Sequence, residues 1–184
     1  MIDEKKLKKE LSNLSDGCIV LLETSAEKAQ EAGLAVMNIL TQADQKAVIL
    51  SASRPCSNLL NLYQKKGIDV KKVFILCAVC QNQGVKEGGF ENVIHLQNAT
   101  ALTNISIALN KSIELIKGKK FIFIDSVTTM LIHNKPDTFV KFIHFILTKM
   151  RNNGIGGLLI SLESETNKDV RAEIAQLCDK VVKV

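Results

Sequence analysis

Short apolar runs alternate with longer amphipathic stretches along the chain, and that alternation constrains the fold more than any other feature. "CIVLLE" (18–23), "KAVILSA" (46–52), "KVFILCAV" (72–79), "VIHL" (93–96), "KFIFID" (120–125), "GGLLISLE" (156–163) and "KVVKV" (180–184) read as strands. "AEKAQEAGLAVMNILTQ" (26–42), "PCSNLLNLYQKKG" (55–67) and "NKDVRAEIAQLC" (167–178) read as helices. Pro55 stands near the start of the second of these and Gly67 is its stop. Leu102, Ile105, Leu109, Ile113 and Ile116 keep a helical period that Gly118 ends. Phe139, Phe142, Ile143, Ile146, Leu147 and Met150 mark one face of a further helix. Strands that are apolar on both faces, joined by helices, predict a mainly parallel sheet in a three-layer αβα fold. Functional sites in such sheets gather at the carboxyl ends of strands.

With 184 residues, the chain suits one domain with a full core. It is 46% apolar and 23% charged, which excludes a disordered chain. No run has the length of a bilayer span, so no membrane partner is expected. The start, "MIDEKKLKKELSNL", is charged at once and has no apolar signal region. Leu7, Leu11 and Leu14 share one face there, which predicts a docking helix within 1–16 ahead of a single domain at 17–184. The five cysteines are an odd count in mostly apolar segments, which fits core thiols in a reducing cytoplasm. A net charge of +5 fits a solvated surface.

Asp125 closes an apolar run and is followed by Ser126. An aspartate there can orient water around a magnesium ion, provided that phosphates sit nearby. A phosphate cradle on this architecture follows the first strand, as a glycine loop, a lysine and a helix N-terminus. The first strand here runs into "ETSAEKAQEAG", with no glycine between Glu23 and Glu31 and no Gly-Lys-Ser/Thr. Thr24 and Glu27 have the spacing of a capping box, in which hydroxyl and carboxylate consume the helix-start N–H groups. Glu27 and Glu31 add negative charge, and Lys28 is the lone cation of the turn. Losing three charge-assisted bonds removes about 5–9 kcal/mol, more than about a thousandfold in affinity.

The order of these motifs resembles the KaiC/RecA-like ATPase core, and more closely the archaeal KaiC-like proteins that lack a P-loop. The likeness runs from about Gly17 to the end. "GCIVLLETSAEKAQEAGLAVMNIL" resembles the first strand, P-loop and helix with the loop chemistry erased. "KAVILSASRPCSNLLNLYQKKGID" is similar to the second strand and its helix. "FIFIDSVTTML" resembles the Walker B strand, and "GGLLISLESE" through "LCDKVVKV" the last strands, with Asp179 before the terminal one. The resemblance implies a RecA-like sheet. Where active relatives carry a catalytic glutamate, this chain has Ser53 and Arg54. The degenerate nucleotide site implied is Thr24, Ser25, Glu27, Lys28, Ser53, Arg54, Asp125 and Ser126, with no catalytic residue.

Other chemistry is weakly signalled. "CAVC" at 77–80 has CxxC spacing, but it ends a strand, and a zinc site would need two more ligands. His95, His133 and His144 have no paired ligand spacing, so no metal site is expected; His133 reads as a loop residue. The glycines at 84, 88 and 89 read as a surface loop. No G-x-S-x-G nucleophile elbow is present.

The expectation is therefore a pseudo-ATPase without cofactor, an adaptor or regulatory subunit acting through a protein partner or as a homo-oligomer. The alternative is a nucleotide or phospholigand sensor, or a weak ATPase binding ATP and magnesium, that uses Asp125, Ser126 and Lys28. Nucleic-acid binding ranks third, since aromatics make up only 4% of residues and offer few stacking platforms.

Overall fold

The computed structural model describes residues 2–12, 14–79, 92–163 and 167–184. The glycines at 84, 88 and 89 therefore lie outside the described residues. Among the described residues seven strands form one sheet: β1 (Ile19–Thr24), β2 (Lys46–Ser51), β3 (Val73–Cys77), β4 (Val93–His95), β5 (Lys120–Asp125), β6 (Gly156–Leu162) and β7 (Lys180–Lys183). Their order is β4-β3-β2-β5-β6-β1-β7, and every pairing is parallel.

Helices α1 (Glu4–Leu11), α2 (Ala29–Gln42) and α3 (Cys56–Lys65) cover one face. Helices α4 (Leu102–Leu115), α5 (Val127–His133), α6 (Pro136–Asn152) and α7 (Lys168–Gln176) cover the other. The handedness rule accounts for this division. The connections through α2 and α3 move toward β4 and those through α4 to α7 move away from it, so right-handed crossovers place the two groups on opposite faces. Each strand therefore buries both of its faces. Val20, Leu22, Ile49, Ile75 and Phe123 point to the first layer, and Ile19, Leu21, Val48, Leu50 and Ile124 to the second.

Helix α1 belongs to the first core, where its Leu7 and Leu11 are buried and the helix packs on α2. The second layer is tight at α6. A Cβ on Gly157 would strike the Met150 side chain and come 2.8 Å from Ile19 Cδ1. Helix α5 has no counterpart in the periodicity of the sequence. It is seven residues long, too short for a repeating apolar stripe, and Ser126 starts it by accepting the Thr129 N–H. His133 is accordingly the last residue of a helix rather than a loop residue.

Candidate functional site

Chain direction reverses between β2 and β5. From β2 the chain leaves toward β4, and from β5 toward β7. Ligand crevices on parallel sheets open at such a switch point, outside the carboxyl ends of the strands. Asp125 ends β5 there, in register with Ser51 of β2. The crevice above it is filled. Arg54 Nη1 donates to Gln30 Oε1 at 2.7 Å, linking the β2–α3 turn to α2. Ser51 Oγ donates to the Arg54 carbonyl at 2.7 Å, and the Ala52 N–H donates to the Asp125 carbonyl at 2.9 Å. Tyr63 and Leu59 of α3 and Gly33 and Leu34 of α2 complete the wall.

The space left at Asp125 is about 20 Å³, room for about one water. Small-molecule pockets measure about 300–1,000 Å³. A larger cavity, about 470 Å³, lies between Leu11, Cys18, Lys119 and Gly156, at the amino ends of the strands and far from this chemistry.

Burial raises the Asp125 carboxyl above its ordinary range, and the Arg54 charge and a hydrogen bond from Ser53 pull it partly back. Burial, together with the charge on Asp125, raises the Tyr63 hydroxyl, and Arg54 opposes them.

The β1–α2 turn differs from its expected form. Thr24 does not cap the helix. It is the last residue of β1, fully buried, and its Oγ1 has no hydrogen-bond partner. The turn spans Ser25 to Lys28, closed by the Lys28 N–H on the Ser25 carbonyl at 3.1 Å. Helix α2 starts only at Ala29, with Lys28 as its N-cap and no side-chain cap. The strand persists because Thr24 pairs with Leu162, and its carbonyl accepts the Glu163 N–H at 2.8 Å. Ladder pairing thereby wins over the local capping preference. Glu27 is exposed and folds back on nothing. Glu31 faces elsewhere, accepting the Ile2 N–H at 3.2 Å.

The structure thus brings Ser53, Arg54 and Asp125 together. Thr24, Ser25, Glu27 and Lys28 form a separate turn, and the Ser126 hydroxyl is occupied by capping α5. Gln30 and Tyr63 were not legible as site residues. Both lie on helices at positions whose facing partners only the tertiary fold defines.

A second cluster lies on the same edge. Cys77 and His95 are register partners on β3 and β4, and Cys56 opens α3 above them. Their donor atoms all lie within 4.8 Å of one another. Cys77 is disulfide-bonded, in contrast to the expectation of a core thiol, and its partner lies outside the described residues.

No protein-family model matches the chain, and no curated protein matches it in sequence. Solved structures do. The uncharacterized protein PH0321 from Pyrococcus horikoshii, solved in complex with an unknown peptide, superposes with a TM-score of 0.73 at 14% identity. The match covers 97% of this chain and 82% of that one. KaiC-like protein PH0186 from Pyrococcus horikoshii OT3 superposes with a TM-score of 0.65 at 12% identity, covering 91% of this chain and 71% of that one.

The fold is the RecA-like fold of the KaiC-like proteins. In this sheet Asp125 holds the carboxyl-end position of β5, and the short β1–α2 turn leaves the carboxyl end of β1. Among the described residues no helix is long and apolar enough to cross a membrane.

Proposed function

We propose that the chain is a non-catalytic RecA-like domain acting as an adaptor or regulatory subunit through protein–protein contact. The closure at Asp125 carries this proposal. A triphosphate with magnesium requires several hundred cubic ångströms beside that carboxylate, and about 20 Å³ is present. Self-capping of α2 gives no support, because the helix does not cap itself. The obstruction is steric, made by Arg54, Gln30 and Tyr63.

Surface chemistry supports the contact role. An apolar groove of about 390 Å³ lies between the edge strand β4 and the end of α4. It is lined by Phe74, Ile94, Leu115 and Ile116, of which Leu115 is 74% exposed. Large exposed aliphatic residues beside a sheet edge suit an incoming protein segment. PH0321, which shares the fold, was solved with a peptide bound.

One observation favours the sensor reading. The start of α2 has no side-chain cap, so its N–H groups and dipole remain available to an anion. Lys28 is in that turn, and the buried Thr24 hydroxyl is unpartnered.

Thermal unfolding with ATP or GTP plus magnesium separates the two. A ligand at a hundred times its dissociation constant adds about 2.7 kcal/mol of stability. The adaptor predicts no shift at millimolar nucleotide. It also predicts that peptides selected from a display library against the folded protein lose affinity with Leu115→Asp. A nucleotide-dependent shift that disappears with Asp125→Ala refutes it.

A further inference from the structure

We propose that the reduced chain binds a zinc-class divalent cation between the thiolates of Cys56 and Cys77 and the imidazole of His95. This site is separate from Asp125 and does not depend on the adaptor reading.

The geometry comes from three elements meeting at one point. Cys77 ends β3 and His95 ends β4, and the two are partners in a parallel ladder. Register partners project to the same face of a sheet. That face is the one covered by α3, whose first residue is Cys56. Both cysteines are buried and His95 is partly buried.

Bond lengths of about 2.3 Å to sulfur and 2.0–2.1 Å to nitrogen put tetrahedral ligand atoms about 3.5–3.8 Å apart. The observed atoms lie within 4.8 Å. Small side-chain rotations, moving donor atoms by on the order of 1 Å, close a site of that geometry. The donors are soft and borderline, with no carboxylate among them, which selects zinc over calcium or magnesium. Two thiolates and a neutral imidazole also cancel the charge of a divalent ion, so the buried site carries no net charge. The fourth position belongs to water.

A disulfide sulfur does not ligate zinc, so the oxidised Cys77 of this structure must be reduced first. A trialkylphosphine does this. It takes the oxygen of one water, becomes the phosphine oxide and leaves two thiols. Metal binding then releases the protons of the two ligating thiols to solvent.

The bound ion would tie the three-residue edge strand β4 to β3 and α3. The spacing of the sequence hides the site, because its ligands are 21 and 18 residues apart (56 to 77, 77 to 95) and only the strand register joins them.

The test is a cobalt(II) titration of the phosphine-reduced, anaerobic protein. The expected result is a saturable thiolate-to-cobalt charge-transfer band with tetrahedral visible bands, displaced by zinc. The band is lost in Cys56→Ser and weakened in His95→Gln, while Cys178→Ser leaves it unchanged. X-ray absorption of the zinc-loaded wild-type chain is expected to give at least two sulfur neighbours and an imidazole, and it decides the matter if a variant fails to fold. Absence of the charge-transfer band in reduced wild-type protein overturns the proposal. So does a zinc ion surrounded only by nitrogen and oxygen, or a band that survives Cys56→Ser in a folded variant.

Discussion

Replacing Thr24 with valine distinguishes the two accounts of the β1–α2 turn by the sign of one number. If Thr24 capped α2, losing its hydroxyl would cost about 0.5–2 kcal/mol. In the structure the hydroxyl is fully buried at the end of a strand and bonds to nothing. A buried hydroxyl without a partner costs about 1–3 kcal/mol of desolvation. Valine keeps the branched shape, suits a strand at least as well and removes that cost. Thr24→Val is therefore expected to stabilise the chain by about 1–2 kcal/mol. For a chain of this length that raises Tm by about 2–8 °C. Urea unfolding should show the midpoint rising with m unchanged, since the surface exposed on unfolding is the same. A loss of about 1 kcal/mol, or a Tm that falls, would refute the unpartnered-hydroxyl account and restore the capping box.

Two further outcomes follow from the same geometry. Burial lifts the Asp125 carboxyl above its ordinary value of 3.8, so the folded chain holds a proton that the unfolded chain has already released. Stability from this group is full below that value and falls as pH rises through the lifted pKa. Asp125→Asn should then gain on wild type as pH rises across that window and keep a constant lead above it; parallel pH profiles would count against the burial argument. At the other end of the sheet, Asp179 Oδ2 accepts the buried Ile19 N–H at 2.7 Å and Oδ1 accepts from Arg151 at 3.1 Å. Asp179→Ala is expected to cost about 2–4 kcal/mol in urea, about 1.5–3 from the charge-assisted bond and about 0.2–1 from the half-exposed pair. Asp179→Asn, which keeps an acceptor, should cost less, and equal losses would discount the Ile19 bond.

Most of the fold was written in local pattern. Each of the seven apolar runs became a strand, since a run such as "VILS" at 48–51 has no polar face to offer solvent. The helices with a sustained apolar period, α4 and α6 above all, appear where that period lies. Helix α5 did not show, because seven residues hold under two turns and its start depends on one serine. The capping box at Thr24 failed for a related reason. Spacing alone cannot tell whether a threonine ends a strand or opens a helix, and pairing with β6 decided for the strand.

The site depended on tertiary register in a way that no motif states. At the carboxyl edge, His95, Cys77, Ser51 and Asp125 stand in one row across β4, β3, β2 and β5, each in register with the next. All four therefore project to the α2–α3 side, and those two helices determine what each can do. Over Asp125 they bring Gln30 and Tyr63, the β2–α3 turn adds Arg54, and space for about one water is left. Over Cys77 and His95 they bring Cys56. Tyr63, Cys56 and Cys77 serve at once in the first core and in these two clusters, whereas the second core takes part in neither. Closing the switch point therefore draws only on residues of the α2–α3 side and leaves the packing of the opposite layer as it is. The fold is shared with structural neighbours at 12–14% identity, whereas the chemistry of the carboxyl edge is decided by these few residues of this chain.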